Sequence, residues 1–357
     1  MFIKRFSAAM VAVATGTALL LDVATPASAI VGGVPATTPY ATSLQSFSDA
    51  TSSRACDGVD TGRLPQRTHS KACAPPSGAA EVAANFDCGG VLIAPTWVLT
   101  AGHCIPYTTG QARLNSLSRN EGGEAIPIRA VFRDPASDPT GARFGNDGGL
   151  VQLAEPAHSQ WLPLAAFEQP KTTPGILQGW GLTCDDLLGD STDPCWKSKP
   201  QHLQELSMKR VDDHVCDLLS PSGTQLMEPD TMMCLVPSKD GKSGACFGDS
   251  GSPEFLKVQV LDKATKQRRW QPVVFGIQTA IMNASSFKDG SGNLIPNVCS
   301  VGPNGAINRD ALTKVSPELP WIIATITAHD RSAAESVQRN LITPGDLAPH
   351  TLSAPVK

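Results

Sequence analysis

The sequence predicts an all-β protein, a barrel or a sandwich, with one helix near the C-terminus. Its apolar runs are short and are separated by turn residues, as in proteins built from many short strands. The 357 residues include 31 glycines and 29 prolines, and only 17% are charged, which favours turns over long charged helices. Apolar residues at 317–328 have helical spacing and follow prolines, which predicts a terminal helix. The length suits one large domain with tails.

The first 29 residues have the pattern of a secretion signal. The basic pair Lys4-Arg5 precedes an apolar stretch at 7–21 that is short for a membrane span. A small-x-small cleavage site follows at 27–29. We expect a secreted, extracellular protein that does not associate with membranes after removal of the signal. An uncut membrane anchor is the alternative.

Charge and cysteine content narrow the functional class. The formal net charge is −4 and there is no basic run, so nucleic acid is not an expected partner. Ten cysteines in an exported chain indicate disulfides, and the absence of any C-x-x-C argues against a zinc site. Cys184 and Cys195 bracket a polar loop, where a local pair is expected. Cys56 and Cys73 lie in a loop-like insertion at 48–83, and they pair there or with other cysteines.

The predicted elements follow in chain order. An early strand ends near residue 47, and two apolar runs at 91–93 and 97–99 predict a strand, a turn and a strand. Further strands are predicted at 126–132, 148–153, 175–181, 203–211, 232–235, 255–261, 270–277 and 312–315, with a short helix at 212–219. The helix at 317–328 should end the domain, which spans 30–328, and residues 329–357 should form a flexible tail.

One glycine-flanked turn at 246–253 shows a pattern typical of catalysis. Its glycines allow a sharp turn that exposes the hydroxyl of Ser250 and lets backbone N–H groups converge. A serine needs an adjacent base and a third group that orients the base. His103 and Asp147, each beside a predicted strand end, supply these groups. The alternatives are an ordinary turn serine, a structural histidine and a capping aspartate.

With these residues in this order, the chain resembles the chymotrypsin-like (trypsin-family) serine proteases. The matching stretches are 30–33, 100–104, 146–153, 248–253 and 321–322. The resemblance covers 30–328 but not the insertion at 48–83 or the loop at 282–298. It implies two packed six-stranded antiparallel Greek-key barrels with a C-terminal helix. It also implies a monomeric endopeptidase without a cofactor, with polypeptide substrates and protein inhibitors as its partners.

The same resemblance implies the roles of the site residues. Ser250 attacks the peptide carbonyl, His103 takes its proton and returns it to the leaving amine, and Asp147 orients His103. The backbone N–H groups of Gly248 and Ser250 hold the oxyanion. The disulfides implied by the family are Cys88–Cys104, Cys216–Cys234 and Cys246–Cys299.

The family also implies an activation pair. A new N-terminus at Ile30 turns inward, and its α-amino group pairs with Asp249. Because the signal site ends directly at Ile30, we expect signal peptide removal itself to produce the active enzyme. The alternative is cleavage elsewhere, with Ile30 exposed.

The specificity pocket departs from that of trypsin. Gly244 stands where trypsin has an aspartate, which argues against strict trypsin specificity. Ile281 stands where trypsin has a glycine, so Ile281 should narrow the pocket. The predicted pocket residues are Gly244, Ala245, Thr279, Ala280, Ile281 and Asp310. A carboxylate at Asp310 could attract Arg or Lys from the far wall, or it could be solvated. We expect a preference for small or medium apolar residues, or a broad one.

Two further alternatives complete the sequence reading. Glu121 and Glu124 lie where some relatives bind calcium, but two acids in a glycine-containing loop are usually solvated, so no metal is expected. A catalytically weak or inactive member of the same fold, acting in binding or adhesion, is the alternative function.

Overall fold

The computed structural model describes residues 30–47, 84–108, 110–138, 144–183, 199–216, 227–239, 243–261, 265, 267–281, 299 and 308–348. The predicted signal peptide, the insertion at 48–83 and the loop at 282–298 lie outside these residues. So do Cys56, Cys73, Cys184 and Cys195, whose predicted pairings therefore stay predictions.

The first half of the chain forms a closed six-stranded antiparallel barrel. Its strands are β2 (Ala41–Phe47), β3 (Ala84–Ala94), β4 (Trp97–Ala101), β5 (Gln111–Leu114), β6 (Glu124–Arg133) and β7 (Gly148–Leu153). They pair in the order β2-β3-β4-β7-β6-β5, and β2 also pairs with β5. Leu44, Val98, Leu114 and Val151 are among the side chains that fill its interior.

The second half forms another antiparallel sheet. Its strands are β8 (Pro174–Gly179), β9 (Gln204–Arg210), β10 (Met232–Pro237), β11 (Pro253–Leu261), β12 (Arg268–Ile281) and β13 (Asp310–Lys314). The order is β9-β10-β13-β12-β11-β8, and β8 pairs again with β9, which returns the order to its start. The short β1 (Val34–Pro35) adds to β9. The predicted fold class is confirmed.

Two differences from the predicted elements concern strands and short helices. The strand β5 was not predicted, because its four residues, Gln-Ala-Arg-Leu, carry only two buried side chains. The helix predicted at 212–219 is a 3₁₀ turn over Asp213–Cys216 within the part described.

Helix α1 (Val315–His329) joins the two barrels. It follows the last strand of the second barrel, yet Leu319, Ile322 and Ile326 belong to one core cluster with Ile93 and Trp97 of the first barrel. This packing fixes the two sheets against each other along the junction where the site lies. No helix among the described residues is long and apolar enough to cross a membrane.

The prediction of a flexible tail from residue 329 is wrong for residues up to 348. Helix α2 (Arg331–Arg339) buries Ala333, Ala334 and Val337, and the side chain of Asp330 caps its first turn. Beyond it, the N–H of Ile342 donates to the carbonyl of Leu164 (3.0 Å). The segment is ordered because its small apolar residues lie against the core between the barrels. Residues 349–357 lie outside the described part.

Candidate active site

His103 lies in a 3₁₀ turn, Gly102–Tyr107, that begins where the buried strand β4 ends. The N–H of Gly102 donates to the carbonyl of Asp147 (2.8 Å). A side chain at Gly102 would press on Asp147 Oδ1 and on the Gly148 carbonyl, so glycine is needed for this close approach. The disulfide Cys88–Cys104 anchors the turn on β3.

Asp147 holds His103 at two points. Its Oδ1 accepts the backbone N–H of His103 (2.8 Å), and its Oδ2 lies 2.6 Å from the ring Nδ1. Asp147 is 4% exposed, whereas the side chain of His103 is 41% exposed. A carboxylate can only accept from Nδ1, so the ring carries its proton there and Nε2 keeps a lone pair. This is the tautomer that a general base requires.

The turn that carries Ser250 rests on the first barrel. The carbonyl of Ser250 accepts the N–H of Gly89 (2.7 Å), and the N–H of Gly251 donates to the carbonyl of Gln278 (2.8 Å). Gly248 and Gly251 have φ of +99° and +77°, values that favour glycine. A side chain on Gly251 would also collide with Thr100 and Gly89.

The Ser250 turn and the His103 turn are thereby connected. Gly89, which bonds to Ser250, follows Cys88 in β3, and Cys88 is bonded to Cys104, the neighbour of His103. The turns that carry Ser250 and His103 are therefore both attached to β3, and Asp147 contacts His103 beside them.

Asp249 is buried below this turn. It is fully buried, with Oδ1 accepting the N–H of Gly181 (2.8 Å) and Oδ2 accepting that of Cys246 (2.9 Å). Burial raises the pKa of Asp249 to about 7 in spite of these two hydrogen bonds. The charge of Lys199 lowers the pKa of Asp249, yet the group is still only partly ionised at neutral pH, so a further cation is needed to keep it fully charged.

Ile30 lies in the same region. It is fully buried in the core of the second barrel, in one cluster with Ala245. The next residue, Val31, accepts the N–H of Gly244 (3.0 Å). The φ of Ile30 is +60°, an outlier for a β-branched residue.

Two of the predicted pocket residues, Gly244 and Ala245, lie in the segment before Ser250, and a third, Asp310, contacts it. Asp310 is fully buried, which rules out the solvated alternative, and its Oδ2 accepts the N–H of Ala245 (3.2 Å). Burial, and then the charge of Asp249, raise the pKa of Asp310 to about 8. A side chain on Gly244 would collide with the amide of Asn308, which bonds to the carbonyl of Cys299 (2.6 Å).

The opposite side of the predicted pocket belongs to β12. The hydroxyl of Thr279 lies 2.8 Å from that of Thr313, so it is engaged within the sheet. Ala280 is 9% exposed, and Ile281 packs on the cluster around the Cys246–Cys299 disulfide. The structure also pairs Cys216 with Cys234.

The structure shows no arrangement suited to a metal ion in the part of the chain that it describes. Only Cys88, His103 and Cys104 lie close enough to share an ion, and the two cysteines are joined in a disulfide, so they offer no thiolate ligand. Of the two acids considered for calcium, Glu124 accepts hydrogen bonds from His158 N–H (2.8 Å) and from Ser159.

One acid beside the site was missed by the sequence reasoning. Glu318 is 3% exposed and contacts Gly148, the residue after Asp147. It lies three residues after Val315 and four before Ile322, both buried, so helical spacing places it on the apolar side of α1. A glutamate among the apolar residues of a predicted helix is unusual, and this feature of the sequence could have identified Glu318.

Comparison with known proteins agrees with this geometry. The family model for Trypsin matches residues 66–287. The chain is 34% identical over 186 residues to "Trypsin" of Sarcophaga bullata, covering 49% of this chain and 66% of that protein. It is 32% identical over 255 residues to "Chymotrypsin-like elastase family member 3B" of Homo sapiens, covering 68% and 79%. With "Proproteinase E" of Bos taurus it shares 32% over 254 residues, covering 68% and 84%.

Proposed function

Because the chain belongs to the trypsin family of serine proteases, we propose that it is a secreted endopeptidase that uses Ser250, His103 and Asp147. Its homologues support a proteolytic function. The observation that carries the catalytic assignment is the two-point contact of Asp147 with His103, through the backbone N–H and Nδ1. This contact leaves Nε2 as the nitrogen that can accept a proton.

The reaction follows from these positions. Ser250 Oγ bonds to the carbonyl carbon while its proton passes to His103 Nε2, and the carbonyl oxygen becomes an oxyanion. The N–H groups of Gly248 and Ser250 stabilise that oxyanion. The imidazolium then gives its proton to the leaving amine as the C–N bond breaks, which leaves an acyl-enzyme on Ser250. Water, activated by the same histidine, releases the acid and restores the serine.

Variants in the serine turn test this assignment. Ser250→Ala should reduce peptide hydrolysis by roughly 10⁴-fold or more. Ser252→Ala is the matched control, since Ser252 lies in the same turn but is fully buried and should retain most of the activity. Equal activity of the wild type and Ser250→Ala would refute the proposal.

We further propose that removal of the signal peptide produces the active form. The buried carboxyl of Asp249 needs a cation, and Ile30, whose amine would become free, is buried in the same barrel. Cleavage before Ile30 would also relieve the unfavourable φ of +60° at Ile30. The torsion angle φ is defined by the carbonyl carbon of the preceding residue, which is removed by the cleavage. N-terminal sequencing of the secreted, active protein should start at Ile30, and another start with full activity would contradict this.

For specificity we propose a preference for small or medium apolar residues, or a broad one. The support is the burial of Asp310 and its pKa of about 8, which leave the group largely uncharged at neutral pH. A panel of peptides varied at the residue before the cleaved bond tests this, with Asp310→Asn as the comparison. Strong cleavage after Arg or Lys alone, lost in Asp310→Asn, would overturn it.

A further inference from the structure

A second pair of acids, Glu318 and Asp134, lies behind Asp147. Glu318 belongs to the first turn of α1 and is 3% exposed. Its carboxyl lies against Gly148, where any side chain would collide with Glu318 Oε2 and with the ring of Trp321. Because Gly148 follows Asp147 directly, the Glu318 carboxyl lies beside the backbone that presents the orienting acid.

Asp134 reaches the same glycine from another element. It follows the last residue of β6, is 7% exposed, and donates its N–H to the carbonyl of Gly148 (2.9 Å). Its Oδ1 accepts the N–H of Ala136 (2.7 Å), which fixes the orientation of its side chain. Three acidic residues from three elements therefore meet at Gly148, Glu318 through its carboxyl, Asp134 through its backbone N–H, and Asp147 as the preceding residue.

The contact between Glu318 and Asp134 requires a proton. Within the described residues, no donor reaches either oxygen of the buried Glu318 side chain, and the charged group that interacts with it first is the Asp134 carboxyl. A buried carboxyl that has no donor and faces a second carboxyl cannot stay ionised, so one of the two must be protonated. Burial first, and then the charges of Asp134 and Asp147, raise the pKa of Glu318 to about 9. Glu318 is therefore the member of the pair that carries the proton.

The other charged groups near this cluster do not neutralise it. Arg133, next to Asp134 in the chain, donates to the Ser137 hydroxyl (2.8 Å) and the Asp138 carbonyl (2.8 Å). Lys314, before α1, binds Glu168 (2.9 Å). His103 faces Asp147 from the far side. The groups that face Glu318 directly are thus the carboxyls of Asp134 and Asp147.

We propose that Glu318 is a positioning residue of the triad, whose neutral carboxylic acid donates to Asp134 and keeps Asp147 in place to orient His103. This role rests on the proposed catalytic function of Asp147. Ionisation of Glu318 would add a second negative charge behind Asp147 and remove the donor that joins α1 to the segment at 134. The arrangement about His103 should therefore change when Glu318 loses its proton.

The test follows the Nδ1 resonance of His103 by NMR in the mature protein, labelled with ¹⁵N-histidine, between pH 6 and 10.5. A His103→Gln variant assigns it among the seven histidines. The wild type should show a change near pH 9 that Glu318→Gln abolishes. Glu254→Gln is the matched control, since Glu254 is another fully buried acid with a raised pKa, of about 8, and it should keep the change. Persistence of the change in Glu318→Gln overturns the proposal.

A kinetic comparison separates positioning from structural support. Glu318→Gln keeps a donor, so its kcat at pH 8 should stay within about threefold of the wild type. Glu318→Leu lacks a donor and should lose about tenfold or more in kcat with KM unchanged. Equal kcat for both variants contradicts the proposal. If Glu318→Leu does not fold, Asp134→Asn serves instead, because losing one negative neighbour should move the NMR change to lower pH. The NMR result needs no turnover, so it stands even if the proposed activity fails.

Discussion

The burial of Asp249 makes a quantitative prediction about the N-terminus. Two forms of the protein are compared in the Ser250→Ala background, which prevents autolysis. One begins at Ile30, and the other retains Ala29, so that no free amine is available at Ile30. In the extended form the buried Asp249 has no α-ammonium partner, and its pKa of about 7 applies.

The magnitude follows from that pKa. The difference between 3.8 and about 7 for Asp249 corresponds to about 4 kcal/mol, at about 1.4 kcal/mol per unit of pKa. When the pKa of a carboxyl is higher in the folded than in the unfolded protein, its contribution to the free energy of unfolding is complete at pH values below the unfolded-state pKa. This contribution is lost as the pH rises through the folded-state pKa. The extended form should therefore lose up to about 4 kcal/mol between pH 4 and 8. The Ile30 form should lose less, because its ammonium group compensates the charge.

Urea unfolding at several pH values measures this effect. Glu254 also has a raised pKa, of about 8, but it is present in both forms and cancels in the difference. The pKa of Asp310, about 8, depends in part on the charge of Asp249, so any change at Asp310 follows from Asp249 and belongs to the measured effect. Asp249→Asn in the extended form should remove the additional pH dependence. The same pH dependence in both forms, or a difference that survives Asp249→Asn, would refute the activation pair.

Two further predictions concern packing. Gly148→Ala should lower the free energy of unfolding, measured by thermal denaturation, by about 1–3 kcal/mol, because a methyl group at this position collides with Glu318 and Trp321. Gly345→Ala is the control: a methyl group there makes only an ordinary van der Waals contact, so the stability should be nearly unchanged. Deleting 330–357 should lower stability by about 3 kcal/mol or more, since burying a Val or Ile contributes about 1.5–3 kcal/mol. Deleting only 349–357 is the control, and equal stability of the two truncations would contradict the packed tail.

Much of the fold could be predicted because its signals are local. Short apolar runs marked β4 after the turn at Pro95, β8 before the glycine turn at 179–181, and β12 as one arm of a hairpin. The family resemblance supplied their arrangement into barrels. Strand β5 escaped because its alternation of polar and buried side chains, Gln-Ala-Arg-Leu, covers only four residues and is too short to distinguish from a loop. Helix α2 escaped because its buried side chains include Ala333 and Ala334, which are too small to mark an apolar stripe.

In the candidate site, too, the features that depend on neighbouring residues could be predicted from the sequence, and those that depend on distant residues could not. Ser250 was identifiable from its flanking glycines, which the turn requires. The raised pKa of Glu318 depends first on its burial and then on Asp134 and Asp147, which lie about 170 to 180 residues earlier in the chain, so no local pattern could show it. From the sequence alone, an acidic residue in the first turn of a helix would be interpreted as an ionised group that interacts favourably with the helix dipole. The burial of Asp310 was equally a product of tertiary packing.

Labelling with an organofluorophosphonate tests the central claim most directly. The mature protein should be modified at Ser250, as mapped by mass spectrometry of the digested chain. Ser252→Ala should label at the rate of the wild type, and Asp147→Asn should label about 10⁴-fold more slowly at neutral pH. Absence of label at Ser250 in correctly processed protein, or a labelling rate that does not depend on Asp147, would contradict the account.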